Sequence, residues 1–346
     1  MEINELIIPR PDDMHLHLRE GEMLKTVSQH SAKQFGRAII MPNLKKPIVS
    51  AALAHSYYDE IKKYTKGHLF EPLMTIYFNE GLTLGELQKI EASSKVIGIK
   101  LYPKGVTTNS NKGIDSFELG YKIFEMMEKL DIPLLIHGEV NDMNIDIFDR
   151  EKIFIEKHLT GVLKEFPKLR IVLEHISTKD ATEFVKESSN KIAATITPQH
   201  LLYNRNELFL GGLRPHKFCL PVLKREEHRV AVLDAAISGN PKFFLGTDSA
   251  PHKRAEKESS CGCAGIYSAL NAIEIYAEIF DRNNAIEKLE NFCSKFGADF
   301  YKLDQSKMKI KLIRSKSKIP TIIKIDNDEI VPLMAGQEIG WNCSEI

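Results

Sequence analysis

The chain has 346 residues, and its 47 lysines and arginines balance 47 aspartates and glutamates, so the formal net charge is zero. Such a balance lacks the basic excess on which nucleic-acid binding draws, and no apolar run approaches the roughly 18 residues needed to cross a bilayer. Five cysteines are too few for a disulfide framework; with no secretory pattern in the opening residues, a cytoplasmic protein without nucleic-acid or membrane partners is expected.

In chain order, short β-branched runs alternate with longer amphipathic stretches, the signature of repeated βα units. Strands are predicted at 13–18, 37–42, 73–78, 96–102, 133–137, 170–175, 192–197 and 243–247. Helices are predicted at 117–129, 151–164, 179–187 and 224–237, the last with Val230, Leu233, Ala236 and Ile237 on its apolar face. Eight strands with intervening helices imply an α/β fold of the (β/α)8 TIM-barrel type, with a doubly wound open sheet as the alternative. Residues 200–222, carrying Gly211, Gly212, Pro215 and Pro221, read as an elaborate loop. From about residue 306, Lys307, Lys309 and Lys311 alternate with Met308, Ile310 and Leu312, the period of a strand with one wet face. This tail is expected to be a small β extension, an edge hairpin packed on one barrel domain that spans residues 1–346.

The polar residues at the strand ends carry the chemistry. His15 and His17 stand two apart on one strand, so both side chains share a face; such a pair either binds a metal ion or makes hydrogen bonds in a core. His137, His175, Asp248 and Lys100 fall at or near the ends of other predicted strands, where barrel enzymes assemble their sites. The convergence of all six favours the metal reading. An ammonium at Lys100, buried in an apolar strand beside metal ions, would be expelled or lose its proton. The neutral amine can add carbon dioxide to give a carbamate able to bridge two cations; the other reading is a lysine that snorkels to the barrel mouth or pairs with an acid. With a carbamate, Asp248 and one hydroxide, two divalent cations would keep one positive charge, to which Arg19 adds another. That balance suits an anionic substrate and hydrolysis of an amide-like bond, or its reverse.

These residues stand in longer motifs: His15-Leu-His-Leu-Arg19, Met41-Pro-Asn43, Lys100-Leu-Tyr-Pro, His137-Gly-Glu, Glu174-His175 and Gly246-Thr-Asp-Ser-Ala-Pro-His252. Together they resemble the amidohydrolase superfamily and, within it, the class II bacterial dihydroorotases. The likeness runs over nearly the whole chain, including Thr195-Ile-Thr-Pro-Gln-His and Lys257-Glu-Ser-Ser-Cys-Gly-Cys-Ala-Gly. It implies two zinc ions bridged by N6-carboxylated Lys100, one held by His15, His17 and Asp248 and the other by His137 and His175. It implies reversible cyclisation of N-carbamoyl-L-aspartate to L-dihydroorotate in pyrimidine synthesis, with Asp248 as general acid and base. The substrate-binding set it implies is His17, Leu18, Arg19, Asn43, His137, Leu220, His252 and Ala264. Arg19, Asn43 and His252 would take the substrate carboxylate, and Leu220 and Ala264 would meet the ring through backbone groups. Thr107 and Thr108 fall in a Gly-bounded loop that the resemblance makes a lid. A homodimer is also implied.

Two alternatives differ in what they require of these residues. A hydantoinase-like cyclic amidase would share the metal site but would not need a carboxylate clamp, so Arg19 and Asn43 discriminate against it. A catalytically silent barrel acting as a structural partner would have lost metal ligands, and here all six are present. The thiols of Cys261 and Cys263 are read as part of a turn beside Ala264.

Overall fold

The computed structural model describes residues 3–346. After β1 (Glu5–Pro9) the chain enters β2 (Asp12–Leu16), β3 (Arg37–Ile40), β4 (Glu71–Tyr77), β5 (Val96–Leu101), β6 (Leu134–His137), β7 (Ile171–Glu174), β8 (Ile192–Ile196) and β9 (Phe243–Leu245). From β2 to β9 each strand lies parallel to the next in sequence order. The ends of this sheet meet: Asp248 N–H donates to the His15 carbonyl at 2.9 Å and His17 N–H to the Ser249 carbonyl at 3.1 Å. The order never reverses, as a doubly wound sheet requires, and the fold is the expected barrel.

Several strands end earlier than periodicity predicts. β2 stops at Leu16 and β9 at Leu245, because the chain leaves the sheet in left-handed turns just beyond. Arg19, His175 and Asp248 have φ of 61°, 42° and 44°, values that non-glycine residues adopt at a cost and that concentrate at functional sites. The two short helices after β7 and β8 carry polar caps: Thr178 Oγ1 accepts from Ala181 N–H at 3.1 Å and Thr197 Oγ1 from His200 N–H at 3.3 Å.

Two helix expectations are corrected. The 117–129 helix divides into a tight turn, Phe117–Gly120, and an α-helix, Tyr121–Leu130. In helix Glu226–Ile237 the buried residues are Val232, Leu233, Ala235 and Ala236, while Val230 is exposed. This helix packs against Lys179–Glu187 on one side and Pro198–Leu202 on the other. Leu233 and Ala236 of the predicted face are buried as expected, while Val232 and Ala235 take the place of Val230 and Ile237.

Inside the barrel, side chains two apart on a strand form successive layers. Towards the strand N-termini, Ile39, Leu73, Leu135, Val172, Ala193 and Phe244 form an apolar cluster with Met14, Phe296 and Tyr301. Two residues further along β6, β7 and β8 stand His137, Glu174 and Thr195. On the β9 side the equivalent position is Gly246, where a Cβ would fall 2.7 Å from that of Thr195 and 3.0 Å from that of His15. Only glycine permits that approach.

The tail supplies β10 (Lys309–Lys318), β11 (Ile323–Ile325), β12 (Asp328–Ile330) and β13 (Glu338–Glu345). Its alternation is as predicted, with Ile310 and Leu312 buried, but β10 is not an edge. It is the central strand of an antiparallel sheet ordered β1-β10-β13, because β1 returns from the start of the chain to cover it. β11 and β12 form a separate hairpin within the connection. Among the described residues no helix is long and apolar enough to cross a membrane.

Candidate active site

His15 and His17 leave the end of β2 with their Nε2 atoms 3.3 Å apart. Asp248, just past β9, sets Oδ1 at 3.3 Å from His15 Nε2 and 3.1 Å from His17 Nε2. These three ligand atoms, all on buried residues, lie within 4.8 Å of one another. Two imidazole nitrogens facing each other and a carboxylate oxygen satisfy one another poorly, whereas a divalent cation between them would use all three lone pairs. The donor set therefore fits a metal ion.

The surroundings support that fit. His15 Nδ1 contacts the Glu174 carboxylate, which also accepts from Thr195 Oγ1 at 3.2 Å. A carboxylate behind an imidazole fixes its tautomer and aims the other nitrogen into the site. Burial opposes a charge on His15, but the Glu174 and Asp248 carboxylates together outweigh it and the pKa is raised. His17 has no such support, and burial pushes it down to about 3. Burial also works against the Asp248 carboxylate, yet the imidazoles on Oδ1 hold it well below the usual range.

A second group lies alongside. The His137 and His175 rings are 4.7 Å apart between centroids, and His175 is 5.0 Å from His15. His137 Nε2 is 2.8 Å from Glu139 Oε2, while His175 Nδ1 is buried with no hydrogen-bond partner among the described residues. Lys100 is fully buried beneath the cleft, its Nζ without a hydrogen-bond partner among the described residues and 5.1 Å from the Tyr102 ring centroid. Burial lowers its pKa to about 8, against the opposing pull of Glu174 and Asp248. The orphaned amine and the orphaned imidazole nitrogen are what a bridging group and a second cation would satisfy.

Above these residues opens a cleft of about 340 Å³, lined by His15, His17, Arg19, Asn43, Thr107, Thr108, His137, His175, Leu220, Asp248 and Ala264 together with Tyr102. Arg19 is held by Nε donating to the Pro251 carbonyl at 3.1 Å, and its Nη2 lies 3.1 Å from His252 Nε2. Asn43 Nδ2 donates to the Thr108 carbonyl at 3.0 Å, Asn109 Nδ2 to the Asn43 carbonyl at 3.0 Å, and Thr108 Oγ1 to the Ala264 carbonyl at 3.3 Å. The 104–113 loop is thus closed over the cleft.

Three expected residues stand apart from the lining. Lys100 lies below it; His252 lines an adjoining outer cavity; and the Leu18 side chain belongs to the hydrophobic core. Cys263 comes within 4.8 Å of His252 and Glu256, while Cys261 is exposed. Sequence reasoning gave no role to Glu174, Glu139 or Tyr102. The signal for Glu174 was available, since a carboxylate on an otherwise apolar inward strand face demands a buried partner.

The amidohydrolase family model matches residues 6–312. A dihydroorotase of Picosynechococcus sp. is 52% identical over 345 residues, covering 99% of this chain and all of that protein. Among solved structures, a dihydroorotase from Saccharomyces cerevisiae in complex with 5-fluoroorotic acid superposes with a TM-score of 0.94 at 32% identity, over 99% of both chains. A dihydroorotase from Campylobacter jejuni gives 0.91 at 36% identity, over 99% of this chain and 98% of that one.

Proposed function

The chain belongs to the dihydroorotases of the amidohydrolase family, and from that premise we propose that the cleft interconverts N-carbamoyl-L-aspartate and L-dihydroorotate, a step of pyrimidine synthesis. The observation that carries this reading is the meeting, in one cleft, of a buried His15–His17–Asp248 cluster with Arg19 and Asn43.

His15, His17 and Asp248 would hold one zinc ion, His137 and His175 a second, with carboxylated Lys100 between them. When bound, zinc supplies a hydroxide at neutral pH and polarises a carbonyl. Lys100 Nζ, with its pKa lowered to about 8, is neutral in part of the population at neutral pH, and the neutral amine is the form that adds carbon dioxide. Glu174 keeps His15 oriented, and Glu139 does the same for His137.

Dihydroorotate carries a carboxylate and a cyclic imide. Arg19 meets the carboxylate with its guanidinium and Asn43 with its amide, while His252, already 3.1 Å from Arg19 Nη2, adds a third contact. Leu18 joins this set only through its backbone, because its side chain is buried in the core. Leu220 and Ala264 meet the ring through peptide groups, and His17 and His137 border it. Asp248 Oδ1 faces both imidazoles, which leaves Oδ2 to take the proton of the attacking water and return it to the ring nitrogen as the bond breaks. In the cyclising direction the same oxygen takes a proton from the carbamoyl nitrogen. Thr107 and Thr108, on the loop that bonds Asn43 and Ala264, exclude water while this happens.

The barrel and the β1-β10-β13 sheet are taken as one folding unit spanning residues 1–346, which a single cooperative unfolding transition would support. A cytoplasmic homodimer is carried over from the resemblance, and sedimentation of the purified protein tests the dimer. The activity is tested by assaying L-dihydroorotate and hydantoin side by side with purified protein. Turnover of dihydroorotate with little on hydantoin is expected; the reverse preference would move the site to the cyclic-amidase branch.

A further inference from the structure

Lys257 is a lysine almost sealed from water, at 4% exposure, and among the described residues it has no carboxylate partner. Its Nζ donates instead to three carbonyls: Phe218 at 2.7 Å, Cys263 at 2.8 Å and Gly265 at 2.7 Å. Three protons meet three acceptors, so the ammonium is fully used. Burial still weighs on it, lowering its pKa to about 8. A buried charge held only by peptide dipoles is a costly way to join two loops, and its placement explains the cost.

The three carbonyls flank the two backbone positions that enter the cleft. Cys263 and Gly265 bracket Ala264, and Phe218 lies two residues before Leu220; both Ala264 and Leu220 line the cleft. A peptide unit is planar, so pinning the Cys263 carbonyl fixes the direction of the Ala264 N–H in the same plane. Gly265 N–H donates to the Phe218 carbonyl at 3.0 Å, which locks the two segments to each other as well as to Lys257. There is no slack behind them, since a Cβ at Gly265 would fall 2.8 Å from the Ala250 carbonyl oxygen.

We propose that Lys257 is a positioning residue for the substrate ring, its ammonium aiming the peptide groups of Leu220 and Ala264 into the cleft. The inference rests on the reading above that those two residues meet the ring of a cyclic imide. It predicts a defect in binding rather than in metal loading, because Lys257 touches none of the metal-site residues.

The test uses the metal-loaded enzyme and dihydroorotate. Lys257→Met keeps the length of the stem and removes the charge; KM should rise about tenfold or more while kcat falls less and metals per chain stay as in the unaltered protein. Lys257→Ala should show the same defect, and adding ethylammonium should lower its KM again in proportion to amine concentration. An unchanged KM in Lys257→Met, or a KM in Lys257→Ala indifferent to the amine, overturns the proposal. So does loss of metal or of folding in both variants even with amine present, which would assign Lys257 to the scaffold alone. If the unaltered enzyme fails to turn over dihydroorotate, the functional reading itself has failed, and that outcome is distinct from all of these.

Discussion

The two interior layers of the barrel are built from the same strands and obey opposite rules. On β6, β7 and β8 the lower positions are Leu135, Val172 and Ala193, and two residues further along stand His137, Glu174 and Thr195. Below, apolar side chains fill the barrel and Phe296 and Tyr301 complete the packing. Above, buried polar groups oppose one another, and Lys100 Nζ, His175 Nδ1 and Glu174 Oε1 have no hydrogen-bond partner among the described residues. Stability is concentrated in the lower layer. The upper one keeps unsatisfied groups, at a cost to stability, in an arrangement that chemistry can use.

Substitutions in each layer test that division. Lys100→Ala should cost about 10³-fold or more in activity and reduce the metal content from two ions per chain to one; two ions retained would refute the bridge. Phe244→Ala, in the lower layer, should destabilise the protein by about 3–5 kcal/mol through lost burial and the cavity left behind. Its activity per folded molecule should remain within about threefold, and an unchanged melting temperature with a collapsed kcat would erase the distinction between the layers. Arg19→Ala should raise KM for dihydroorotate about 100-fold, as expected for losing charge-assisted hydrogen bonds. An unchanged KM and rate would reject the clamp.

The smallest effect concerns a buried carboxyl away from both layers. Glu274, on helix Ala272–Arg282, accepts from Gln34 Nε2 at 2.7 Å, and burial raises its pKa from 4.5 to about 7. Between those values the unfolded chain binds fewer protons than the folded one, so this group makes stability fall as pH rises through that window. Glu274→Gln should therefore flatten the decline in melting temperature between about pH 5 and about pH 7. A decline of the same size in the variant would show that Glu274 contributes nothing to it.

The barrel was legible because alternation of short and long apolar patterns is a local property, and each proposed metal ligand sits at or near the end of such a run. What sequence could not show depends on partners far away in the chain. Lys257 looks like any surface lysine until the carbonyl of Phe218 is folded over it. The central place of β10 depends on Glu5–Pro9, some 300 residues earlier, lying beside it. Strand ends were overrun at His17 and Thr247 because left-handed turns at Arg19 and Asp248 follow no hydrophobic period. The buried face of Glu226–Ile237 keeps Leu233 and Ala236 but exchanges Val230 and Ile237 for Val232 and Ala235, since two flanking helices as well as β9 pack on it.

The place where the barrel shuts is also where its chemistry is assembled. Asp13 accepts from the backbone N–H of Thr247 at 2.8 Å and from its Oγ1 at 2.6 Å, across 234 residues of chain. His15, His17 and Asp248 straddle that same join. A chain synthesised only as far as β8 would hold both histidines and lack the carboxylate, so no product that stops before Asp248 can display the full cluster. A cation bound across the join would in turn act as a clasp, coupling occupancy of the site to integrity of the whole ring. Metal affinity at this site would thus double as a gauge of whether the barrel has closed.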